Sequence, residues 1–163
     1  MDVLFVCSAN IVRSFMAEAI MKKRLKEKKR GGVSVASAAL IDMKGRATDP
    51  AALKILAENG IPAESRPSLL LTVEMVERAD VIAVMEQVQR GELCEKYPDA
   101  EGKTVLLKSF MKGFQGYEAD IRDPHGLTTY HYRLCFAELS AAVSGMVDAF
   151  QRTWFNKETA GKP

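Results

Sequence analysis

Cys7 and Arg13 are separated by five residues, and Ser14 follows directly, in the stretch VLFVCSANIVRS. Each side chain brings a distinct capacity. A thiol ionises near roughly 8.5 when free, but a helix N-terminus and a neighbouring cation can lower that by several units and expose a nucleophilic thiolate at neutral pH. Arginine presents a planar fork that matches two oxygens of a tetrahedral oxyanion. The backbone between them, residues 8–14 (Ser8, Ala9, Asn10, Ile11, Val12, Arg13, Ser14), is expected to wrap an anion with its N–H groups where a helix opens. A cysteine at a strand end is usually inert packing, and a cation at a helix start opposes the helix dipole. The two at this spacing, directly after a buried strand, have a joint chemistry: covalent attack on a phosphoryl group held by the guanidinium.

Such chemistry needs a proton for the leaving oxygen, and Asp123 in RDPHG is the candidate general acid and later base. Pro124 restrains Asp123 to extended geometry, and Gly126 lets the segment turn. Asp49–Pro50 is the same dipeptide, but it stands before a helical pattern and reads as a cap rather than a site.

Positioning these groups requires a rigid frame. Residues 3–6 are an unbroken apolar run, as expected of a strand buried on both faces. A helix begins at residue 14 and ends in a basic run at Gly31 and Gly32. Strands are expected over 33–36, 80–85 and 104–107, and helices over 51–59, 72–78, 86–97 and 128–155. Strands alternating with helices predict an α/β fold: an open four-stranded parallel sheet with helices on both faces, a Rossmann-like three-layer arrangement. Ligands bind such sheets beyond the carboxyl ends of the strands, where the loops after the first and fourth strands carry Cys7 and Asp123. Residues 1–155 are expected to form a single domain, and 156–163 a flexible polar tail.

A net charge of +2 and few aromatic residues argue against nucleic-acid binding. No apolar run is long enough to span a membrane, and no leader is visible, so a cytoplasmic protein is expected. The three cysteines are widely spaced and odd in number, which suits a reducing compartment and excludes a disulfide framework or zinc motif. No metal or other cofactor is implied; His125 and His131 lack a clear third ligand. The basic run 22–30 (KKRLKEKKR) reads as a solvated helix face whose cations suit the C-terminal dipole.

The motifs VLFVCSANIVRS, ASAAL at 36–40, ADVIAVM at 79–85 and RDPHG together resemble the low-molecular-weight protein tyrosine phosphatase family over nearly the whole chain. The resemblance implies hydrolysis of phosphate monoesters, protein phosphotyrosine foremost, through a phosphocysteine intermediate. Cys7 would be the nucleophile, Arg13 the phosphate clamp and Asp123 the general acid. Asn10, Ser14 and Ser37 would support the loop, with Ser14 helping to expel the sulfur. Met43 and His125 stand where the family's aromatic cleft walls are usual. A monomer or weak dimer, inhibited by phosphate-like oxyanions, is expected. The chain departs from the family at Ala9, usually Gly; at Phe15, usually Pro; and at Val12, where many members carry a second cysteine that can trap the nucleophile in a disulfide. Three alternatives remain at this point. A thiol-dependent arsenate reductase of the same fold would need a pair of closely spaced relay cysteines. A phosphocysteine carrier of a sugar-transport system would not need Arg13 and Asp123 together. A catalytically degenerate binding protein would hold phosphate without turnover. Phosphoarginine phosphatases of the family favour Thr where this chain has Ile11.

Overall fold

A computed structural model describes residues 1–155 of the chain; the expected tail, 156–163, lies outside the described residues. The element order is β1 (Asp2–Cys7), α1 (Arg13–Glu27), β2 (Ser34–Ala39), α2 (Pro50–Glu58), α3 (Val73–Arg78), β3 (Val81–Val84), α4 (Gln87–Lys96), β4 (Thr104–Leu106) and α5 (Thr129–Phe150). Short 3-10 turns flank β4 at Pro98–Lys103 and Leu107–Phe110. The final helix expected to reach residue 155 ends as an α-helix at Phe150, and Gln151–Phe155 continues as a wider π-type turn. β2 runs three residues beyond its expected end, because Ala38 and Ala39 pair with Val6 and Cys7.

All strand pairs are parallel, in the order β2-β1-β3-β4. The alternation of side chains along β1 explains the layers. Val3, Phe5 and Cys7 face a core built with α1, α2 and α5, whereas Leu4 and Val6 face a second core with α3 and α4. Both faces are covered, as the unbroken apolar run in β1 requires. The connection from β1 leaves towards β2 on one side, and β3 lies on the other. The end of β1 is therefore the topological switch point of the sheet, where a crevice opens for a ligand.

Helix α5 closes the first core and leans on the turn after β4. A Cβ built on Gly145 would lie 1.9 Å from the Phe110 carbonyl oxygen, so only glycine permits this approach. Gly145→Ala is expected to lower the melting temperature on the order of 5–10 °C, the cost of overpacking a site with no flexible neighbour. An unchanged thermal melt would contradict this packing.

Candidate active site

The chain leaves β1 at Cys7, which is 3% exposed. Its Sγ accepts the Asn10 backbone N–H at 3.3 Å and lies 3.1 Å from Ser14 Oγ. Asn10 turns the loop with φ 55°, the left-handed region that asparagine tolerates better than most residues. That places the bend at Asn10 rather than at Ala9, so alanine at position 9 carries no left-handed strain. The Asn10 amide donates to Ser14 Oγ at 2.9 Å and to Ser37 Oγ at 2.7 Å, and its oxygen accepts the Leu69 N–H at 3.2 Å. The three residues expected to support the loop are thus bonded to one another. Val12 stands at the N-cap of α1 without a side-chain cap, and the first turn carries no acidic residue.

Arg13 is 2% exposed, and its terminal nitrogens are already held. Nη1 donates to the Ile121 carbonyl at 2.9 Å and lies 3.0 Å from Glu86, while Nη2 donates to Asp123 Oδ2 at 2.8 Å. Nε is buried without a hydrogen-bond partner. Burial opposes the charge on Arg13, but Asp123, Cys7 and Glu86 outweigh it and hold its pKa above the ordinary value. In the resting geometry Arg13 therefore grips the proposed acid rather than standing free for an oxyanion. Asp123 itself is fixed at its second oxygen, where Oδ1 accepts the His125 N–H at 3.0 Å across Pro124.

His125 is exposed, and its Nδ1 lies 2.7 Å from Asp49 Oδ2. Its Nε2 lies 3.4 Å from the Arg46 guanidinium. A carboxylate only accepts, so Nδ1 carries the hydrogen shared with Asp49. Met43 is half-buried in the same segment as Arg46, whose N–H donates to the Met43 carbonyl at 3.0 Å. Asp49 does cap α2, accepting the Ala51 N–H at 2.8 Å. It is nonetheless more than a cap. It also takes the Tyr132 hydroxyl at 2.8 Å, and its N–H donates to Ile11 at 3.0 Å, so it ties the Cys7 loop, the acid loop and α5 together.

The family model for low molecular weight phosphotyrosine protein phosphatases matches residues 2–156. The chain belongs to this family. Among its relatives are a protein-arginine-phosphatase of Geobacillus stearothermophilus, 34% identical over 91% of this chain and 95% of its own, and a probable low molecular weight protein-tyrosine-phosphatase, EpsP, of Ralstonia nicotianae, 36% identical over 76% and 77%. Among solved structures, the Geobacillus YwlE arginine phosphatase superposes with a TM-score of 0.83 at 31% identity, covering 95% of this chain and 96% of its own. A cysteine-to-serine variant of a YwlE arginine phosphatase, with its active-site serine phosphorylated, superposes at 0.84 and 28% identity over 94% and 98%. The protein is a phosphatase acting on phosphate monoesters through a cysteine nucleophile, and neither the arsenate reductase nor the phosphocarrier reading is favoured.

Four residues of the phosphatase site were not picked out by the sequence reading. Glu86 holds Arg13, and Gln89, 1% exposed, bridges Glu86 and Ser8 at 2.8 and 3.1 Å while accepting the Met85 N–H. Glu86 directly follows the apolar run of β3 at a carboxyl strand end, the signal that could have found it. Glu18 and Arg66 lie behind the loop, where Arg66 also stacks over Phe15 at 5.3 Å. Cys135 is buried, and burial pushes its thiol up to about 12, so it is no second reactive sulfur. In the basic run, Lys22 pairs with Glu18, Lys23 and Arg24 with Glu27, and Lys28 with Asp148, as a solvated helix face would. No helix among the described residues is long and apolar enough to cross a membrane.

Burial, then the bond to Asp49, raises the Tyr132 hydroxyl to about 12 from its ordinary 10.0. The folded state therefore binds this proton more tightly than the unfolded chain. The stability it contributes is complete below pH 10 and lost as pH rises towards 12. In paired melts, the advantage of the parent over Tyr132→Phe should shrink across that window. A constant difference would show that the hydroxyl is not held as described.

Proposed function

We propose that the phosphatase acts on protein phosphotyrosine in the cytoplasm, with Cys7 as nucleophile, Arg13 as phosphate clamp and Asp123 as acid and base. The observation that carries this reading is the loop itself: a buried sulfur receiving the Asn10 N–H beside the Ser14 hydroxyl, with the buried Arg13 Nε free to meet an oxyanion. The substrate phosphoryl group enters over the opening of α1, and its oxygens take the loop N–H groups of residues 8–14, Nε and Nη2. Nη2 must then release Asp123. The Cys7 thiolate attacks phosphorus; the S–P bond forms as the P–O bond breaks, and Asp123 gives its proton to the leaving oxygen. Asp123 next takes a proton from water as that water attacks the phosphocysteine. The departing sulfur is met by Ser14, and inorganic phosphate leaves.

Ile11 is 3% exposed, and its apolar side chain supplies no acceptor for a guanidinium N–H. That favours an aryl ester over phosphoarginine, although relatives named for each substrate exist. Matched peptides carrying one or the other test the choice. A kcat/KM advantage for phosphotyrosine of about 10- to 100-fold is expected. A reversed ratio would assign the chain to phosphoarginine. His125 and Met43 are read as walls of the cleft that receives the side chain.

A further inference from the structure

We propose that Lys108 is a positioning residue for the general acid: it clamps the peptide unit from which the Asp123 segment pivots. Lys108 stands in the turn Leu107–Phe110 after β4, and only 13% of its side chain is exposed. Its ammonium donates to Glu138 Oε1 on α5 at 2.8 Å and to the Asp120 carbonyl at 3.0 Å. Glu138 balances the charge; the second bond is directional and reaches the acid loop. The Asp120 carbonyl belongs to the same peptide unit as the Ile121 N–H, which donates to the Met85 carbonyl at 2.8 Å. That unit is planar, so holding both of its polar ends fixes its orientation. The Asp120 carboxylate adds a third tie. Its Oδ1 accepts the Gln87 N–H at 2.8 Å, at the start of α4, where the N-cap Glu86 offers no side-chain cap.

The clamp ends at the Ile121 carbonyl, which takes Arg13 Nη1 at 2.9 Å. Beyond it Arg122 is exposed, and neither Arg122 nor the Asp123 N–H makes a backbone hydrogen bond among the described residues. The next such bond runs from the Leu127 N–H to the Pro124 carbonyl at 2.9 Å. A fixed unit is thus followed directly by a free one. The contrast bears on the proposed cycle, in which Asp123 leaves Arg13 Nη2 and turns to the leaving oxygen. A carboxyl that changes partners by rotation about free backbone returns to one place only if the unit before it stays still. A misplacement of about 1 Å can cost about 10²-fold in rate. The turn that carries Lys108 is itself pinned, since the Phe110 carbonyl sits against Gly145 of α5 with no room for a Cβ. The acid loop is thereby referred to α5 through Lys108 and to the sheet through Met85.

This inference rests on Asp123 being the acid, and Asp123→Ala is the control that separates the two ideas. Proton donation matters when the leaving oxygen is basic. Phenolate, with a conjugate acid near ~10 like that of tyrosine, needs the proton; dinitrophenolate leaves as a stable anion and needs little help. The ratio kcat/KM covers the steps up to departure of that group. Lys108→Met keeps the apolar stem and removes the donors. Its kcat/KM should fall about tenfold or more on phenyl phosphate and less than about threefold on dinitrophenyl phosphate. A residue that merely holds the fold would lower both alike. Asp120→Ala leaves Lys108 in place and removes the tie to Gln87; it should show the same split, and it carries the test should Lys108→Met fail to fold. In an Asp123→Ala background, Lys108→Met should cost less than about twofold more on phenyl phosphate, because its effect travels through Asp123. Equal losses on the two esters, or an undiminished loss without Asp123, would overturn the proposal. An Asp123→Ala variant that slows both esters alike would sink the acid assignment itself, and the role of Lys108 with it.

Discussion

Cys7→Ser is expected to lower turnover of p-nitrophenyl phosphate by at least about 10⁴-fold, the scale on which an enzyme loses its nucleophile. The substitution keeps the size of the side chain and its two neighbours, the Asn10 N–H and the Ser14 hydroxyl. What changes is ionisation. A serine hydroxyl has no thiolate to offer at neutral pH, and no base stands beside position 7 to activate it: the polar partners of the sulfur are a backbone N–H and a hydroxyl. Vanadate should still bind, since the loop amides and Arg13 remain. Turnover within tenfold of the parent, in metal-free buffer, would defeat the assignment of Cys7.

The second large effect concerns Asp123. Asp123→Ala should reduce kcat by roughly 10²- to 10⁴-fold, the usual share of a general acid. Its effect on binding should run the other way. Asp123 Oδ2 occupies Arg13 Nη2 at 2.8 Å in the resting geometry, so an oxyanion has to displace it. With the carboxylate gone, Nη2 is available from the start, and vanadate should bind as tightly as in the parent or more tightly. The exchange also has a mechanistic use: it frees the Asp123 carboxyl to face the leaving oxygen. Should Asp123→Ala weaken vanadate binding as much as it slows turnover, Asp123 would be a structural anchor of Arg13 instead.

Much of this arrangement was legible in the residues. The run in β1 and its counterpart in β3 carry no polar interruption, which only a sheet covered on both faces explains. From that frame, the loops carrying Cys7 and Asp123 had to share one rim, and they meet there through Arg13. Element ends were harder. β2 extends to Ala39 because a neighbouring strand and the Leu69 carbonyl offer partners, which alanine propensity does not reveal. Contacts between distant segments were not readable at all. Asp49 looks like any Asp-Pro cap in sequence, and its bonds to His125 and Tyr132 span 76 and 83 residues. Glu18 and Arg66 belong to the same class: a charged side chain on an ordinary helix pattern gives no sign that a second charge, 48 residues on, will bury it. The resting grip of Arg13 on Asp123 likewise follows from geometry, not from motif spacing.

Helix α1 opens with an uncapped Val12 and a cation where a helix is best served by an acceptor and an anion. An oxyanion bound there as proposed would complete the secondary structure as well as the chemistry, and would act as a folding ligand. By mass action, an oxyanion present at a hundred times its dissociation constant adds about 2.7 kcal/mol to the stability of the chain. Melting temperatures of variants are therefore comparable only at equal phosphate, and a phosphate buffer would conceal part of the cost of a damaged core.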